Sequence, residues 1–122
     1  MRAIARLAAS FALAGCAAAP MVAGDSKTVP RQIIAPYEVH EDCADLALGD
    51  RLDYQFESSD LVTFNIHYHD GSLIVMPITR ERVTSDAGLF VPQLKKGYCL
   101  MWEAGASGAT LAYRIVVRRL AR

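Results

Sequence analysis

Period-two alternation of apolar and polar side chains, repeated along most of the chain, is what most limits the folds open to this sequence. Leu52, Tyr54 and Phe56 alternate with Asp53, Gln55 and Glu57, and Val62, Phe64, Ile66 and Tyr68 alternate with Thr63, Asn65, His67 and His69. The pattern returns in Tyr98, Leu100 and Trp102, and again in Leu111, Tyr113, Ile115 and Val117. Successive side chains on a strand point to opposite faces, so each run predicts a strand with one buried face and one wet face. Turn chemistry falls between the runs at Leu48-Gly49-Asp50, Ser58-Ser59-Asp60, Asp70-Gly71-Ser72, Asp86-Ala87-Gly88 and Lys95-Lys96-Gly97. Asp70-Gly71 between two apolar runs is the strongest hairpin signal. Pro77 places the return strand Leu73–Ile78 at an edge or a bulge. Asp42–Leu48 has room for no more than a helical turn. The expected fold is all-β: a small antiparallel sandwich of about seven or eight strands, spanning residues 33–122.

The first fifteen residues follow another logic. Arg2 and Arg6 precede Leu7–Gly15, a nine-residue stretch of Ala, Leu and Phe with one Ser. A bilayer-spanning helix needs about 20 apolar residues, so this stretch suits a removable secretory leader instead. It ends in Leu13-Ala14-Gly15-Cys16, which resembles the lipobox of bacterial lipoprotein precursors. That resemblance implies cleavage before Cys16 and acyl chains, palmitate among them, on its thiol and new amino terminus. Residues 1–15 would then be signal peptide. Residues 16–32, with four Ala, two Pro and no sustained periodicity, read as a flexible tether. The likeness places the domain in the cell envelope, facing the periplasm. Ala17 rather than Asp after the cysteine favours the outer membrane over the inner.

With Cys16 assigned to lipid, Cys43 and Cys99 remain. An even pair in an oxidising compartment is expected to form a disulfide. The whole chain carries thirteen basic and thirteen acidic residues, and loss of Arg2 and Arg6 leaves about −2. The densest basic group, Arg118, Arg119 and Arg122, reads as a solvated end, so no nucleic-acid partner is expected.

From Ala47 to Val117 the order of elements is similar to the GOLD domain. A Gly-Asp turn enters Tyr54-Gln55-Phe56, a long middle hairpin follows, Lys96-Gly97-Tyr98 enters a strand with Trp102, and Leu111–Ile115 closes the set. The resemblance implies a β-sandwich recognition or scaffold module. Phe64–His69 followed by Tyr98–Trp102 also resembles uncharacterised bacterial envelope proteins.

His67 and His69 are the sharpest chemical feature. With Asn65 they project from one strand face, opposite Phe64, Ile66 and Tyr68. Cys99 and Met101 share that spacing on another strand. Asn65, His67, His69 and Met101 are therefore the candidate recognition surface for an envelope protein or small ligand. The alternative is copper handling by His67, His69, Met101 and Met76, with Cys99 and His40 as further candidates, since sulfur and imidazole together select copper. No histidine follows Cys99, unlike the clustered ligands of blue-copper proteins, and a disulfide would remove the thiolate. No cofactor is therefore expected under the first reading. Catalytic chemistry finds no support: there is no Gly-x-Ser-x-Gly elbow, and Gly105-Ala106-Ser107-Gly108 fits a hairpin connection. Glu38, Glu41, Asp42 and Asp45 lack calcium-loop spacing and read as a solvated acidic loop. Tyr37, Tyr98 and Trp102 are expected in the core, Trp102 beside the Cys43–Cys99 bridge.

Overall fold

A computed structural model describes residues 19–119; the expected leader and Cys16 lie outside the described residues. Six strands form one antiparallel sheet: β1 (Ser26–Ile34), β2 (Val39–Leu46), β3 (Asp50–Asp70), β4 (Leu73–Phe90), β5 (Lys96–Ala104) and β6 (Ala109–Arg119). Their order is β1-β6-β3-β5-β2, with β4 along the other side of β3. The sheet curls into a half-barrel. The all-β expectation holds. The strand count is corrected to six, and one curled sheet stands in place of a separate-sheet sandwich.

The difference in count comes from two long strands. Ser58-Ser59-Asp60, read as a turn, is a bulge inside β3, where pairing shifts between Glu57 and Val62. On one side of this bulge β3 pairs β6 through Asp50–Ser58; on the other it pairs β5 through Val62–His67. The strand thus bends and changes partner while its opposite edge stays on β4. Asp86-Ala87-Gly88, also read as a turn, lies within β4. Bulges sharpen local twist, and this one turns the second half of β3 back across the first.

Alternation then does its work. Leu52, Phe64, Ile66, Leu100, Leu111, Ile115 and Trp102 are almost wholly buried inside the curl. Each such side chain contributes about 1.5–3 kcal/mol by leaving water. Trp102 is central, with ring centroids 4.7 Å from Tyr113, 5.4 Å from Phe64 and 5.8 Å from Phe56. The Asp70↔Leu73 pair closes the expected hairpin, with Gly71 at φ 59° in the first of two loop positions. Pro77 sits where β4 slips register between Ile66 and Tyr68 of β3, on the edge strand as anticipated.

Two assignments near the N-terminus change. Ser26–Ile34, placed mostly in the tether, is β1, and the ordered domain begins before residue 33. Pro30 falls in its register shift between Val29 and Gln32, where a missing N–H costs little. Upstream, Met21 is buried; its N–H donates to the Cys43 carbonyl and its carbonyl accepts from Asp45 N–H. Gly24 N–H in turn donates to the Val117 carbonyl, and Val117 N–H to Asp25. This strap joins β2 to β6 across the open side of the curl. Asp42–Leu48 is not helical: most of it belongs to β2.

Candidate functional site

Over Val62–His67, β3 is flanked by β4 on one side and β5 on the other, so its outer face is crowded from both sides. Register sets Met101 opposite Asn65 and Cys99 opposite His67, and beyond them Glu41 and Cys43 on β2. Two rows therefore cross the sheet: Glu41–Met101–Asn65 and Cys43–Cys99–His67. Cys43 and Cys99 are joined by a disulfide, S–S 2.03 Å, on the face opposite Trp102. Trp102 thus packs against aromatic rings and not beside the bridge.

Asn65 and His67 are each only 4% exposed. Asn65 Oδ1 lies 2.7 Å from His67 Nδ1. An amide oxygen can only accept, so Nδ1 carries the proton and Nε2 keeps the lone pair. Burial lowers the His67 pKa from 6.5, with His69 adding to the fall and Glu41 opposing it. His69 is exposed, its ring 5.4 Å from His67 in an edge arrangement. Met101 is half-buried, and Met76 is exposed on β4. Of the four candidate recognition residues, His69 and Met101 alone reach the surface.

For a metal, the donor atoms of Glu41, Cys43 and Cys99 lie within 4.8 Å of one another. The thiolate is the metal ligand, and here both sulfurs are spent in the bridge. His67 offers Nε2 alone.

A polar chain inside the curl escaped the sequence reading. Tyr113 Oη donates to Asp42 Oδ2 at 2.7 Å, and His40 Nε2 lies 2.9 Å from the same Oη. Since that hydroxyl spends its proton on Asp42, His40 is the donor. Lys27 Nζ completes the chain at 2.7 Å from Asp42 Oδ2. β1, β2 and β6 are joined through it. Asp42 is thus a buried structural carboxylate, not part of a solvated loop. His40 is committed here, away from the outer face; burial lowers its pKa, against the pull of Asp42. Burial first and then the Asp42 hydrogen bond raise that of Tyr113.

The cleft was missed as well. Tyr68, Val75, Pro77, Phe90, Leu94 and Tyr98 line an apolar hollow of about 520 Å³ where the β3–β4 hairpin meets the β4–β5 connection. Tyr98 stands edge-on to Tyr68 at 5.3 Å and to Phe90 at 5.0 Å. Its hydroxyl donates to the Leu94 carbonyl at 2.8 Å, which pins the connecting loop as a wall. Lys96 Nζ lies 5.8 Å from the Tyr68 ring centroid. The sequence did hold a signal: Leu73-Ile74-Val75-Met76 is four apolar residues in succession, and Val75 lines the hollow. Tyr37, expected in the core, is 72% exposed in the β1–β2 turn, with φ 60°. No protein-family model matches the chain, and no curated protein matches it.

Proposed function

We propose that this is a non-catalytic binding module of the cell envelope, anchored by lipid on Cys16, with the Tyr68–Phe90–Tyr98 cleft as its ligand seat. The cleft carries the reading. Its volume falls within the roughly 300–1,000 Å³ usual for small-molecule sites. Its lining is apolar, and its loop wall is held in place by Tyr98. The ligand chemistry that suits it is an apolar group, with the Lys96 ammonium at the rim for a polar head. The recognition or scaffold role follows the resemblance of Ala47–Val117 to the GOLD domain, carried here by one curled six-stranded sheet. The N-terminal signal, the periplasmic side and the outer membrane rest on the lipobox resemblance.

The test uses anilinonaphthalene sulfonate, whose fluorescence rises in apolar surroundings. Saturable enhancement is expected, and it should fall sharply in Leu94→Asp, a change at an exposed rim position. No enhancement, or equal enhancement in that variant, would sink the proposal. Acylation is read separately from the mass of the N-terminal peptide.

A second reading, copper handling, draws on the adjacent imidazoles of His67 and His69 with Met101 on the neighbouring strand. It requires stoichiometric copper binding that disappears in His67→Ala/His69→Ala.

A further inference from the structure

Six of the exposed large apolar side chains among the described residues gather at one end of the half-barrel. They are Val22 before β1, Leu48 in the β2–β3 turn, Leu73 and Ile74 at the hairpin, and Val91 and Leu94 in the β4–β5 connection. Register puts these segments together. Leu46 faces Lys96, Asp70 faces Leu73, and Leu52 faces both Phe90 and Val117. Leu73 and Ile74 are 65% and 54% exposed, and the cleft lies against the same loops. Apolar tips from four separate segments at one end of a small domain mark a surface that meets something apolar.

We infer that this end rests on the lipid bilayer, with the apolar tips in its interfacial layer. The inference builds on the reading that Cys16 is the acylated residue. Chain length chooses the end. Five residue steps lead from Cys16 to Met21, and a fully extended chain covers at most about 3.6 Å per step, so the span between them is at most about 18 Å. Met21 is fixed by β2 residues 43–45, next to the β2–β3 turn. The opposite end, carrying Tyr37 and the β5–β6 turn, lies the length of nine-residue β5 away, about 30 Å at roughly 3.3 Å per residue. The opposite end carries exposed Ile33, Tyr37, Val39 and Leu61, so apolar exposure alone does not select a face; a tether this short brings to the membrane the end that bears the six tips named above.

Charge plays the smaller part. Lys96 lies 3.9 Å from Asp70, Arg118 3.3 Å from Asp53 and Arg119 3.5 Å from Asp50, so the cations at this end are largely matched by carboxylates. Contact through apolar tips requires no anionic lipid. Because the cleft sits at this end, the apolar ligand class it faces is the acyl chain of a membrane lipid.

The full chain, acylated in its host, is reconstituted in zwitterionic phosphatidylcholine vesicles with brominated acyl chains, which quench tryptophan on contact. Two variants carry the added indole: Leu73→Trp at the inferred contact and Tyr37→Trp at the far end. Buried Trp102 is a common background. Strong quenching in Leu73→Trp and little in Tyr37→Trp is expected, with no added dependence on anionic lipid. Equal quenching of the two, or none in Leu73→Trp, overturns the inference. The Cys16 peptide mass from the same sample separates the two ideas. An unacylated chain that is quenched at position 73 refutes the anchor and keeps the contact; an acylated chain unquenched there does the reverse.

Discussion

Tyr113→Phe removes one oxygen and leaves the ring in place, 4.7 Å from Trp102 and 5.6 Å from His40. That oxygen makes two bonds. One goes to Asp42, an ionised acceptor with little exposure, and hydrogen bonds to charged groups are worth about 1.5–3 kcal/mol. The other comes from His40, a neutral donor, at about 0.5–1.5 kcal/mol. Asp42 keeps Lys27 at 2.7 Å, so it is not stranded, and the expected loss is about 2–4 kcal/mol. For a domain near a hundred residues each kcal/mol moves Tm by roughly 4–8 °C, so the change is large. Urea unfolding is the assay. The midpoint should fall while the slope m stays fixed, because no strand is lost. A loss under about 0.5 kcal/mol would show that the chain from Lys27 to His40 does not hold the open side of the curl, and the argument from burial fails.

Three further outcomes are expected. Cys43→Ser/Cys99→Ser opens a covalent loop with a sequence separation of 56 and should cost about 4 kcal/mol in the chain-entropy model, measured by urea unfolding of the variant against the oxidised protein. Stability should fall on acidification through and below pH 6.5, the ordinary histidine value. His40 and His67 have lowered native pKa values, so the unfolded chain binds protons first; a pH series in His67→Gln should show a shallower decline. Gly88→Ala would bring a Cβ within 2.8 Å of Tyr54 Oη, at a cost of about 1–3 kcal/mol. It should also pull Tyr54 off Asp86, so that its pKa, pushed up to about 12 by burial and by that bond, drops in an ultraviolet titration.

β5, β6 and the first half of β3 were legible because burial follows the alternation there, whereas β4 is exposed along most of its length and shows no such pattern. Strand boundaries were less legible. Ser58-Ser59-Asp60 has turn composition, yet it forms a bulge at which β3 bends without ending, since β4 pairs with β3 on both sides of it. β1 was hidden by Lys27, Pro30, Arg31 and Gln32: an edge strand with one fully buried residue, Ile34, has little periodicity to show. The placement of Asn65 and His67 on the face opposite the core was right, but that face is covered at these positions. The sequence does not announce which strand will have neighbours on both sides. Asp42 was read as surface because charge is usually wet, and His40 as a further copper ligand because imidazole binds metals. Their partner Tyr113 lies 71 residues away from Asp42 and becomes adjacent only when the sheet curls. The cleft had a partial trace in the apolar run Leu73-Ile74-Val75-Met76, of which Val75 lines it.

The strap from Met21 to Asp25 has a mechanical consequence. If Cys16 carries the proposed lipid, a pull on that anchor enters the described part of the fold at Met21, the first of the described residues bonded to a strand. The load passes into β2 through two backbone hydrogen bonds, to Cys43 and from Asp45, and into β6 through Gly24 and Asp25. Behind the first of these contacts stands the Cys43–Cys99 bond, so tension that reaches β2 is handed on to β5 covalently. Under that reading the load is shared between β2, at one margin of the sheet, and β6, which lies between β1 and β3, and β2 stays joined to β5 while the sulfurs remain bonded.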